Sequence, residues 1–162
     1  ETTWLDWENA DDDVLRFAAR MIAFRRAHPI LRQKLFLHSG ERAVDGKPDL
    51  FWWAPDGQPM RTADWLDPQL RLVCVEMRTA QNTPPFAVTE RAIFAVFNAG
   101  DAAREVVLPE ATPGRSWLRA LDTDTPDEPA RRAETGADSD LTPGHVRIAP
   151  HSVAVFVLAL DP

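Results

Sequence analysis

Trp52-Trp53-Ala54-Pro55-Asp56-Gly57-Gln58-Pro59-Met60-Arg61-Thr62-Ala63-Asp64-Trp65 places three tryptophans around one Pro-Asp-Gly turn in a chain that has six. Tryptophan carries a large apolar ring and a single N–H donor that wants a partner. Such a cluster either seals a junction between layers or stacks against a flat ligand such as a sugar. Leu50–Trp53 reads as a strand, and the two-residue alternation lets only one of Trp52 and Trp53 face a core. Asp56-Gly57 after Pro55 is a strong turn signal, and it folds the strand back toward Met60 and Trp65. If the cluster is a sugar platform, Trp52, Trp53 and Trp65 supply the rings. Asp56 and Asp64 then accept hydrogen bonds from hydroxyls.

Outward from this stretch the rhythm is that of short strands bounded by Pro, Gly, Asn or Asp. The pattern predicts strands at Leu35–His38, Leu70–Arg78, Ala92–Asn98, Arg104–Leu108 and Trp117–Leu121. It also predicts His145–Ile148 and Val153–Leu160, with Ala149-Pro150-His151-Ser152 joining that last pair as a hairpin. Thr123–Pro143, acidic and nearly devoid of apolar residues, is expected to be a long surface loop. The fold class that follows is mostly β, an antiparallel β-sandwich.

One helix precedes the strands. Asp11, Asp12 and Asp13 supply a cap and favourable charge at its start, and His28-Pro29 ends it. At 100° per residue, Val14, Leu15, Phe17, Ala18, Met21, Ile22 and Phe24 fall on one half, and Arg16 and Arg20 fall opposite. Arg25 intrudes on the apolar half, where it either snorkels to solvent or is buried and paired with a carboxylate or with backbone carbonyls. Burying this half-face is worth at most on the order of 10 kcal/mol. The helix is therefore expected to pack on the sandwich, with the tryptophan segment near the contact.

Composition narrows the function classes. The 162 residues are 44% hydrophobic and 27% charged, a globular mixture, and the net charge of −7 with pI near 5.0 argues against a nucleic-acid partner. The acid-free run from Val14 to Gly40 reads as a solvated basic face before it reads as a phosphate site. No apolar run approaches the ~20 residues of a membrane helix, so no membrane partner is expected. Cys74 is the only cysteine, which excludes an internal disulfide and a cysteine metal site and fits a reducing compartment. Glu1-Thr2-Thr3-Trp4 reads as a cut inside a longer protein.

No motif for catalysis, phosphate or cofactor binding is present, so no catalytic residue and no cofactor are assigned. His28, His38, His145 and His151 are far apart and read as structural or exposed. Asp122-Thr123-Asp124-Thr125-Pro126-Asp127-Glu128 lacks the glycine and final glutamate of a calcium loop, so no metal is assigned.

The order Trp4-Leu5-Asp6-Trp7, a helix ending Arg25-Arg26-Ala27-His28-Pro29, then Trp53-x-Pro55-Asp56-Gly57-x-x-Met60-x-x-x-Asp64-Trp65 resembles the C-terminal end of bacterial glycogen debranching enzymes. These belong to the isoamylase branch of the α-amylase superfamily of glycoside hydrolases. Phe97-Asn98-Ala99, Leu108-Pro109 and Pro150-His151-Ser152-Val153 are similar to the β-domain that closes such chains. The resemblance implies that residues 1–34 are the last loop and helix of a (β/α)₈ barrel and that 35–162 form the C-terminal sandwich. It further implies a cytoplasmic enzyme that hydrolyses α-1,6 branches of glycogen or limit dextrin with retention, its catalytic carboxylates lying upstream. On that reading the chain's partners are the preceding barrel and, through the tryptophans, α-glucan. Two other readings stay open: a stand-alone carbohydrate-binding module and a structural interaction sandwich.

Overall fold

The computed structural model describes residues 11–34, 36–40, 43, 45–81, 91–126, 131–132 and 144–160. Trp4–Trp7 and most of Thr123–Pro143 lie outside them. Helix α1 spans Asp12–Ala27, and the Asp11 carboxylate accepts the Asp13 and Val14 amides at 2.9 and 3.3 Å. His28 closes it by donating its amide to Phe24 O at 3.1 Å, and a 3₁₀ turn, Pro29–Arg32, follows.

The strands are β1 Leu50–Trp53, β2 Leu72–Arg78, β3 Ala92–Asn98, β4 Arg104–Val107, β5 Arg115–Asp122, β6 Arg131–Arg132, β7 His145–Ile148 and β8 Ser152–Leu160. A short helix, α2 Thr62–Trp65, lies between β1 and β2. One sheet has six antiparallel strands in the order β1-β2-β3-β8-β5-β6, and β4 and β7 form a second, two-stranded sheet. The core lies between the sheets. Cys74, Phe94, Val96, Phe156 and Leu158 point inward from the large sheet to meet Val106, Val146 and Ile148 of the small one. Cys74 is completely buried, and desolvation pushes its thiol up to about 12, so it serves as a neutral core atom.

Three expectations are corrected. Leu35–His38 does not form a strand over its described residues Phe36–His38. The buried Asp49 carboxylate takes the His38 and Ser39 amides at 3.2 and 3.0 Å, so those donors are satisfied without a ladder. Second, β7 and β8 are not a hairpin. Each carries core residues that must face one another across the interior, Val146 and Ile148 against Ala154 and Phe156, so the connection arches from one sheet to the other. The buried Asn98 pins that arch by donating to Ala149 O at 2.8 Å and Ala102 O at 3.0 Å. Third, Thr123–Pro143 is not loop throughout. Its β6 pairs with β5 and covers an edge that would otherwise expose unpaired backbone groups.

The Pro-Asp-Gly turn joins the two sheets at their rim. Gly57 donates to Ala54 O at 3.0 Å, Met60 donates to Trp52 O at 3.0 Å, and Val107 of β4 donates to Pro55 O at 2.9 Å. Gly57 sits at φ +76°, and a Cβ there would lie 2.9 Å from Val107 Cγ1. Both facts demand glycine. Gly57→Ala is expected to destabilise the chain by about 1–3 kcal/mol, read as a lower urea midpoint at unchanged slope. A change below about 0.5 kcal/mol would show that the turn does not lock the sheets.

Candidate functional site

The large sheet is apolar on both faces. Opposite the core, Leu50, Met77, Ile93 and Val157 form one row across β1, β2, β3 and β8. Trp52, Val75, Ala95, Val155 and Leu121 form the next, and Val73, Phe97 and Val153 the third. Ile30 of the 3₁₀ turn is buried in this second cluster, and Met21, Phe24 and Leu31 pack against it.

Helix α1 covers only part of this face. It has no buried residue, and Val14, Leu15, Phe17 and Ile22 remain 61%, 65%, 40% and 54% exposed. The expectation that the helix would bury its apolar half on the sandwich therefore holds, in part, only for Met21 and Phe24. The buried Ile30 of the following 3₁₀ turn, with Met21, Phe24 and Leu31 packed beside it, anchors that end on the sheet. Arg25 is exposed at the rim, which decides for snorkelling over a buried pair. Between helix and sheet runs an open groove of about 510 Å³, lined by Phe17, Met21, Phe24, Ile93, Phe97, Val155 and neighbouring side chains. Phe97, 46% exposed, stands at its open side.

The five residues expected to bind sugar do not converge. Trp52 and Trp65 meet edge-to-face with centroids 5.3 Å apart, Trp52 lying on the outer face in register with Val75. Trp53 points to the opposite side of the sheet, stacks beside Phe51 at 4.4 Å, and donates its Nε1–H to Glu76 Oε2 at 3.0 Å. Asp56 accepts the Gln58 amide at 3.0 Å and thereby shapes its own turn. Asp64 accepts the Arg61 amide at 2.7 Å and its guanidinium at 3.1 Å. These hydrogen bonds from Arg61 hold the Asp64 carboxyl below the usual carboxylate range. Both aspartates already have donors, and Trp53 is separated from the other pair by the sheet itself. Asp122, from the calcium-like run, pairs with Arg119 at 2.6 Å. Among the described residues no group of three or more His, Cys, Asp or Glu side chains could hold a metal ion.

The outer face escaped a residue-by-residue reading because strand alternation assigns one face of each strand to solvent. Its signal lies in β3 and β8, whose Ala-Ile-Phe-Ala-Val-Phe and Val-Ala-Val-Phe-Val-Leu-Ala-Leu runs are apolar at successive positions. Such runs belong to strands covered on both faces.

A family model described as "Isoamylase, C-terminal" matches residues 49–157, from just before β1 into β8. The chain belongs to this family. Within the isoamylase C-terminal family, the isoamylase of Flavobacterium sp is 28% identical over 124 residues, 75% of this chain and 15% of that protein. A glycogen debranching enzyme of Pectobacterium carotovorum subsp. carotovorum is 37% identical over 65 residues, 40% of this chain and 9% of its own. The chain thus spans less than a sixth of the length of these relatives. The same fold occurs in pullulanase type I from Bacillus subtilis, solved in complex with maltose: TM-score 0.59, 15% identity, 96% of this chain and 17% of that one.

Proposed function

We propose that this isoamylase C-terminal domain is the non-catalytic end of a debranching α-1,6-glucosidase and that its outer face seats it on the enzyme's catalytic barrel. On this reading residues 1–34 end the barrel and 35–162 are the sandwich that covers and stabilises it. The enzyme acts on glycogen or limit dextrin in the cytoplasm. The observation that carries the proposal is the apolar groove of about 510 Å³ between α1 and the sheet, left open at Phe17 and Phe97. A continuous exposed apolar surface of this kind marks a contact face. The helix that forms one wall of it supplies the covalent connection toward the preceding segment.

Contact with glucan is kept separate from this face, because Trp53 opens on the other side of the sheet. The docking proposal is tested by hydrogen exchange on the chain alone and on the chain joined to the preceding (β/α)₈ segment of its own polypeptide. Amides of Val14–Phe24 are expected to gain at least about tenfold protection on joining, because a covered helix can no longer fray locally. Equal protection in the two forms would reject the docking face.

A further inference from the structure

Where the small sheet ends, the inner side of β1 is left open, and a cleft of about 310 Å³ forms there. Phe51 and Trp53 give it an aromatic wall, their centroids 4.4 Å apart and their planes inclined at 41°. Behind the wall lies a buried charged relay. Trp53 Nε1–H donates to Glu76, Glu76 pairs with Arg78, and Arg78 pairs with Asp45. Glu76 and Arg78 are each only 3% exposed. The relay holds the indole at its Nε1 edge, and the ring, packed against the core on one side, lines the cleft. At the mouth stand two exposed charges from different segments, Lys47 before β1 and Glu110 after β4.

We propose that this cleft is a secondary binding site for the end of an α-1,4-linked glucan chain, with Trp53 and Phe51 as its platform. The choice of glucan rests on the debranching reading above; the cleft itself does not. A pyranose offers an apolar C–H face to an aromatic ring and a perimeter of hydroxyls to donors and acceptors. Lys47 supplies a donor and Glu110 an acceptor at that perimeter. The charges around the cleft are Lys47 and Arg78 against Asp45, Glu76 and Glu110, so carboxylates outnumber cations and a phosphorylated or acidic ligand is disfavoured. The volume sits at the lower end of the ~300–1,000 Å³ range of small-ligand sites, which suits a chain end better than a long helical segment. Site and docking groove lie on opposite faces of the sheet, so both can be occupied at once.

The test is a titration of the full 162-residue chain with maltoheptaose, followed by ¹H–¹⁵N correlation spectra that resolve the Trp53 indole N–H. Saturable shifts of that resonance and of the Lys47 and Glu110 amides are expected, with a dissociation constant in the millimolar range. Trp53→Ala also disturbs the core, so the rim variants Lys47→Ala and Glu110→Ala carry the assignment. Each is expected to bind about fivefold more weakly, as for loss of one net hydrogen bond, at unchanged Tm. Trp52→Ala and Trp65→Ala are expected to bind as the parent does.

No saturable shift at tens of millimolar maltoheptaose, or binding that survives both rim changes but is lost with Trp52 or Trp65, would overturn the site. Equal affinity for cellohexaose would overturn the α-linked assignment. The titration needs no barrel, so its failure is distinct from a failure of the docking proposal.

Discussion

Replacing Arg78 by methionine is expected to destabilise the chain by about 3–5 kcal/mol, the usual cost of breaking a buried ion pair from one side. The Arg78 guanidinium sits between the buried Glu76 and the largely buried Asp45, whose side chain is 15% exposed. Methionine fills much of the same volume and leaves both carboxylates without their cation. Glu76 is also the acceptor for the Trp53 indole, so the loss propagates to the aromatic wall. At about 2–4 °C per kcal/mol for a chain of this size, Tm falls by about 10 °C. Adding Glu76→Gln to Arg78→Met removes the more deeply buried of the two uncompensated charges and should recover part of the loss. A single variant within about 1 kcal/mol of the parent would show that the relay is solvated rather than structural.

The second large effect depends on context. Phe97→Glu is expected to destabilise the chain alone by only about 1–1.5 kcal/mol, because the ring already stands half in water on the outer face. In the chain joined to its barrel the same carboxylate would be enclosed without a partner, a change that costs about 3–5 kcal/mol. The two urea midpoints measure the difference directly. Phe97 suits the comparison because its neighbours in the row, Val73 and Val153, offer a carboxylate no hydrogen bond. Similar small shifts in both forms would mean that this part of the face stays open in the longer protein.

These effects come from different levels of the molecule. The Asp11 cap, the His28-Pro29 stop, the Pro-Asp-Gly turn and the long central strands are local, each fixed by residues within a few positions of one another. Capping geometry, proline's fixed φ and glycine's left-handed conformation are written in the sequence, and so are the strand periodicities. The partition of Trp52 and Trp53 to opposite faces also follows from alternation alone. Which of them faces the core does not, because that depends on the pairing with β2, where Trp53 falls opposite Cys74 and Trp52 opposite Val75.

The candidate sites were less legible for the same reason. Sequence proximity grouped Trp52, Trp53, Trp65, Asp56 and Asp64, but a strand has two faces and a turn satisfies its own carboxylates, so the group separates in space. The groups that meet at Trp53 come from afar: Glu76 of β2 accepts its indole N–H and pairs with Arg78, and Glu110 from beyond β4 lines the same cleft. The sequence by itself determined the family, the mostly β class, the helix α1 and the turn at Gly57. Only the tertiary structure decided that β7 and β8 enter different sheets, that α1 leaves most of its apolar face uncovered, and that a charged relay holds the edge of the Trp53 indole. Local rules specify conformation residue by residue, whereas burial and charge pairing are properties of what distant segments bring to one place.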